Sequence, residues 1–144
     1  MDYVLVGDAF GVLPYYNNSA GIVHDYQALS EDYKNLVIDN IKLAVHHNLI
    51  SLKGAKFSEL TQVVSHPQAL SQCKKHLATH YPKLKQVAYS TTSTAAYDLA
   101  NGLLSKNSAI IASRQAAKKY GLKIIEANIE DSADNQTYFK VLRK

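Results

Sequence analysis

Between Leu60 and Ala127 short apolar runs alternate with helical segments opened by Ser or Thr, and this alternation constrains the fold more than any other feature. Residues 60–64, 86–89, 108–112 and 122–127 are too short for helices and rich enough in β-branched residues to read as strands. Ser65-His66-Pro67 opens a helix, with Ser65 or His66 at the cap and Pro67 in the first turn. Ala69, Leu70, Cys73 and Leu77 form its buried stripe, Lys74 and Lys75 lie outside, and Tyr81-Pro82 stops it. Ser90-Thr91-Thr92-Ser93 offers caps for a second helix over 94–104, buried through Ala96, Leu99 and Leu103. A third helix spans 114–120 and closes at Gly121. Strands joined by helices over short connections pair in parallel through right-handed crossovers. The predicted class is α/β, a parallel or mixed sheet with flanking helices.

The flanks carry a weaker pattern. Residues 3–6 and 11–13 read as short strands around a Gly7-Asp8 turn, with Pro14 ending the second and 15–21 forming a polar, aromatic loop. Residues 22–29 read as a short helix. Residues 35–49 suggest extended chain, broken near Asp39-Asn40, and include His46-His47. After Ala127 a polar, acidic loop runs to Asn135. Alternation through Thr137, Phe139, Val141 and Leu142 then predicts a strand. Thr137 falls at its start, where a hydroxyl can face a cleft.

At 144 residues the chain suits one domain spanning 1–144, and 47% hydrophobic against 19% charged residues describes a globular protein. No apolar run approaches the roughly 20 residues of a membrane span, so no membrane partner is expected. Met1 to Val6 lack the pattern of a secretory signal, and the single Cys73 can form no internal disulfide, so a cytoplasmic location is expected. The net charge of +4 is spread over pairs such as Lys74-Lys75 and Lys118-Lys119. Such pairs suit a solvated face rather than a nucleic-acid surface, and they leave room for a small anionic substrate.

Ser65-His66-Pro67-Gln68 and Ser90-Thr91-Thr92-Ser93 each place N–H groups and hydroxyls at a positive helix end, at the carboxyl end of a strand. That suits carboxylate or phosphate, and it equally suits capping alone. Cys73, His76 and His80 share a helical side, but Cys73 belongs to the apolar stripe and no glutamate stands between the histidines, so no metal is expected. His46 and His47 alternate faces and do not chelate one ion.

In order, these segments resemble prephenate dehydratase. Gly11-Val12-Leu13-Pro14 with Asn17 and Gly21 is similar to its Gly-Val-Val-Pro-Ile-Glu-Asn-Ser segment, and residues 65–73 to its Ser-His-Pro-Gln-Ala-Leu-x-Gln-Cys signature. Ser93-Thr94-Ala95-Ala96, Ala109-Ile110-Ile111-Ala112, Tyr120-Gly121-Leu122 and Ile129-Glu130-Asp131 continue in register. Asn135-Gln136-Thr137-Tyr138-Phe139 falls where the family has Asn-x-Thr-Arg-Phe. The sequence departs at Tyr138, at Tyr16-Asn17-Asn18 in place of Glu-Asn-Ser, and in starting past the family's Gly-Pro-x-Gly-Thr segment. No ACT-type regulatory domain is expected after Lys144.

The resemblance implies a two-lobed fold like that of periplasmic binding proteins, with the site between lobes, and this chain as most of one lobe plus part of the other. It implies conversion of prephenate to phenylpyruvate in phenylalanine synthesis without a cofactor. Thr137 is then catalytic, hydrogen-bonding the departing hydroxyl. Asn17, Ser65, His66, Gln68, Thr92, Ser93, Thr94, Asn135, Tyr138 and Phe139 bind substrate. A homodimer is expected to supply missing contacts. The alternatives are a module that binds a ligand without turnover, and a fragment that pairs with another chain.

Overall fold

The computed structural model describes residues 10–23 and 34–143. The predicted strand over 3–6, the Gly7-Asp8 turn and the helix over 22–29 lie outside them, apart from Ile22 and Val23. The chain divides into two compact units, Met1–Val45 with Asp134–Lys144, and His46–Ala133. We call them the terminal and central units. Among the described residues no helix is long and apolar enough to cross a membrane.

The terminal unit is an antiparallel sheet of β1 (Phe10–Asn17), β2 (Gly21–Ile22), β3 (Val37–Ala44) and β9 (Gln136–Arg143), in the order β2-β1-β9-β3. β9 is an inner strand, as its run of alternating β-branched and aromatic residues favours. Contrary to the sequence expectation, Pro14 does not end β1. The strand continues to Asn17, with a register shift between Pro14 and Tyr16. A bulge at that point accommodates a residue that has no N–H for the ladder. A second shift, between Val37 and Asp39, lies beside the break expected near Asp39-Asn40.

The central unit is a mixed sheet of β4 (Asn48–Ser51), β5 (Gln62–Ser65), β6 (Lys85–Ala88), β7 (Ser108–Ala112) and β8 (Lys123–Glu126), in the order β6-β5-β7-β4-β8. Side chains alternate between its faces. Leu49, Val63, Ala109 and Ile111 pack with Leu70, Cys73 and Leu77 of the α1–α2 segment. Helix α1 is Pro67–Gln72 and α2 is Lys74–His80. On the other face Ile50, Val64 and Ile110 meet Ala96 and Leu99 of α3 (Thr92–Ala100) and Ala117 of α4 (Arg114–Lys119).

The sheet is mixed, within the expected class, and one helix expectation is corrected. Parallel pairing holds for β5 with β6 and β7, whereas β4 lies antiparallel between β7 and β8. β4 is preceded in its unit by only His46 and His47, so no crossover helix dictates its direction, and its four buried residues suit an interior strand. Helix α3 stops at Ala100, Gly102 takes φ +74°, and Leu103 is 68% exposed rather than part of the buried stripe. Asn101-Gly102 is a helix stop, and it outweighs the apolar period beyond it.

Candidate active site

In the terminal unit, Asn17 and Thr137 are direct cross-strand partners on β1 and β9. Asn17 Oδ1 accepts the N–H groups of Ser19 and Ala20, each at 2.9 Å. That fixes the amide, so Nδ2 donates to Asn135 Oδ1 at 2.9 Å and to Thr137 Oγ1 at 3.0 Å. Both asparagines are buried. The loop feeding β9 is held further: Asn18 Oδ1 accepts the Gln136 N–H at 2.7 Å, and the Val45 N–H donates to Asn135 O at 2.7 Å. Because Thr137 Oγ1 accepts from Asn17, its own proton is left to donate, and it has no acceptor among the described residues.

Phe139 follows two residues along β9 and shares the Thr137 face. Tyr138 does not. It pairs with Tyr16 and Lys42, and its ring lies 5.7 Å from that of Tyr16 and 6.4 Å from that of Tyr15. Tyr138 and Thr137 thus lie on opposite faces of β9, as neighbouring residues on a strand do.

In the central unit, His66 caps α1, its Nδ1 accepting the Gln68 N–H at 3.1 Å, with Pro67 next and Gln68 exposed. Ser65 was expected to face a ligand. It is fully buried, and its hydroxyl donates to Ile111 O at 2.8 Å across the β5–β7 pair. Thr91 caps α3, accepting the Thr94 N–H at 2.9 Å while its hydroxyl donates to Thr94 Oγ1 at 2.8 Å. Thr92 and Ser93 form the first turn, whose N–H groups have no intrahelical acceptor. Beside them a depression of about 460 Å³ is lined by Ala88, Tyr89, Ser90, Thr94 and Asp98. The Tyr89 hydroxyl donates to Asp98 Oδ2. That bond, then desolvation and the aspartate charge, raises the Tyr89 pKa.

A further polar network in the central unit escaped sequence reading. Glu130 accepts from His46 Nδ1 at 2.8 Å and from the His47 N–H at 2.9 Å, while His47 Nε2 meets Gln72 Oε1 at 2.6 Å. Burial acts to raise the Glu130 pKa, but hydrogen bonds from His46 and backbone N–H groups outweigh it and hold the carboxyl below its ordinary value. Asp131 accepts the N–H groups of Lys75 and His76 at 2.8 and 2.9 Å, capping α2 from 56 and 55 residues away. Burial, with Asp131 and Glu130 adding to it, pushes the Cys73 thiol up to about 12. His76 bonds Glu126, which also accepts the Tyr81 hydroxyl at 3.1 Å. Only the histidine pair and the two adjacent acids hinted at these links, and no local spacing connects them.

The family described as Prephenate dehydratase matches residues 4–144. A bifunctional chorismate mutase/prephenate dehydratase of Pseudomonas aeruginosa is 34% identical over 133 residues, 92% of this chain and 36% of that protein. Arogenate dehydratase 3, chloroplastic, of Arabidopsis thaliana is 37% identical, over 92% of this chain and 31% of that protein. The chain thus spans about a third of the length of these curated relatives. A solved prephenate dehydratase from Arthrobacter aurescens, in complex with L-Phe, shares the fold with a TM-score of 0.81 at 24% identity, covering 96% of this chain and 46% of that one.

Proposed function

This chain belongs to the prephenate dehydratase family, and from that premise we propose that it catalyses the decarboxylating dehydration of prephenate or of its amino analogue, arogenate. The products are phenylpyruvate and phenylalanine respectively, which places the reaction in aromatic amino-acid biosynthesis. Both substrates carry the same cyclohexadienol ring, with a carboxylate and a side chain on C1 and a hydroxyl on C4. The C1–carboxylate bond breaks to release carbon dioxide, its electron pair enters the ring, and the C4–oxygen pair leaves with the hydroxyl, which takes up a proton from solvent and departs as water. Aromatisation drives the reaction, so no metal or organic cofactor enters this reading.

The observation that carries it is the Asn17–Thr137 bond. By occupying a lone pair of Oγ1, Asn17 leaves the Thr137 O–H free to donate, and it is assigned as a hydrogen bond to the departing oxygen. Acid assistance of this kind contributes about 10²–10⁴-fold. Asn135 positions Asn17, and Phe139 offers an apolar surface on the same strand face. In the central unit, taken by itself, the first-turn N–H groups of Thr92 and Ser93, the Thr94 hydroxyl and the exposed Gln68 beside the His66 cap are donors suited to a carboxylate. A cytoplasmic setting accompanies this reading, in keeping with the single Cys73, which can form no internal disulfide. Incubation of the protein with prephenate and with arogenate, following phenylpyruvate by absorbance and phenylalanine by chromatography, tests the proposal. Aromatic product from at least one is expected, and product from neither would refute it.

A further inference from the structure

One end of the central sheet collects uncompensated positive charge. Strand β4 ends there, and β5, β6, β7 and β8 begin there, whereas the helix caps at His66 and Thr91 lie past the far ends of β5 and β6. A depression of about 260 Å³ lies between the loop after β4 and the loop before β7. Its charged lining groups are Lys53, Lys56, Lys106 and Glu59, with Gly54 and Asn107 beside them. None of the four has an ion-pair partner among the described residues. Lys85 and Lys123, both exposed, open β6 and β8 at the same end of the sheet and add to its positive field.

Backbone hydrogen bonds fix both loops. The Ala55 N–H donates to Leu52 O at 3.2 Å and Gly54 takes φ +82°, so residues 52–55 form a tight turn that carries Lys53, with Lys56 just past it. Across the depression the Ser108 N–H donates to Ser105 O at 3.0 Å, and the Thr61 N–H donates to Asn107 O at 2.9 Å. Those bonds tie Lys106 and Asn107 to the start of β5. The Asn107 amide has no hydrogen-bond partner among the described residues and offers two donors. Three ammoniums against one carboxylate leave a surplus of two positive charges in a concave space. A monoanion neutralises half of that surplus, and a dianion neutralises it all. We infer that the depression is a binding site for a small dianion, a phosphate monoester or a dicarboxylate, held by Lys53, Lys56 and Lys106 with Asn107 donating to it. The inference is independent of the dehydratase reading, and every residue it uses lies in the central unit.

Amide NMR spectra of the whole chain, titrated with glycerol phosphate, malonate or sodium chloride at matched ionic strength, test the assignment. Glycerol phosphate or malonate should shift the Gly54, Ala55 and Asn107 amides along a saturating curve with a Kd of about 1 mM or below, and chloride should not. The tighter of the two dianions identifies the source of the charge. Lys106→Ala removes one exposed charge pair and should weaken binding about two- to fivefold, while Glu59→Gln should tighten it by a similar factor. Lys53→Glu combined with Lys106→Glu should abolish it. These side chains are exposed, so the melting temperature of each variant should stay close to that of the wild type. Lys74→Ala combined with Lys75→Ala removes two positive charges outside the depression and should leave the Kd unmoved. Shifts that grow linearly with concentration, or that chloride reproduces, would overturn the inference. So would an equal loss of affinity in the Lys74/Lys75 and Lys106 variants, since that describes attraction to the surface at large.

Discussion

With its Oδ1 accepting the N–H groups of Ser19 and Ala20, Asn17 cannot flip its amide, so both Nδ2 protons face Asn135 and Thr137. Asn17→Asp keeps the acceptor and exchanges the donor for a second oxygen. The Thr137 proton then turns to the new carboxylate instead of the substrate. We expect kcat to fall by about 10²-fold or more, and stability by about 1–3 kcal/mol, as measured by steady-state kinetics and urea unfolding. Glu130 makes a different prediction. Its carboxyl has a lowered folded-state pKa, so its stabilisation is complete above the ordinary value of 4.5 and is lost as pH falls through the lowered one. Glu130→Gln should cost about 1–3 kcal/mol at neutral pH, since charged hydrogen bonds are replaced by neutral ones. The gap from the wild type should narrow in urea titrations as pH falls below 4.5 and close only below the lowered folded-state pKa. A gap that stays constant with pH would mean that the charge contributes nothing.

Among the elements, α2 depends on a cap that its own sequence does not supply. No side chain at Cys73 caps it, and Asp131 accepts the N–H groups of Lys75 and His76 instead. Asp131→Ala should cost about 1 kcal/mol and lower the melting temperature by about 2–4 °C, and an unchanged melting curve would show that solvent caps the helix as well. This dependence also marks what the sequence could disclose. Helix α3 and strand β7 were legible because cap, period and breaker lie within a few residues of each other. The antiparallel direction of β4 was not, because it depends on partners at 110–112 and 123–126 that no local pattern connects to it. Pro14 misled because a bulge accommodates it. Among the candidate residues, Thr137 and Asn135 were picked out through the resemblance, whereas the opposite facing of Tyr138 follows from strand parity and the Ser65 hydroxyl bonds within the sheet. Asp98 was not singled out at all, since its partner Tyr89 sits on a separate element.

Taken unit by unit, most of the exposed apolar bulk among the described residues lies in the terminal unit. Phe10 and Ile22 are each 59% exposed, Leu43 56% and Ile38 54%. Strand β3 is bonded only to β9 among the described residues. A homodimer remains our proposal for this unit, with a second copy covering Ile38 and Leu43. Each Å² of apolar surface so removed from water contributes about 25 cal/mol. Light scattering at micromolar concentration should give twice the chain mass, with Leu43→Lys shifting it to the monomer. A wild-type monomer would refute the dimer and leave the chemistry untouched. The chemistry itself is tested most directly at Thr137. Replacement by valine keeps the shape and removes the only group assigned to the departing hydroxyl. With whichever substrate the wild type converts, Thr137→Val should lower kcat by about 10²–10⁴-fold while the urea midpoint stays close to that of the wild type. A valine variant that forms aromatic product at the wild-type rate would contradict the assignment of Thr137 as the catalytic residue.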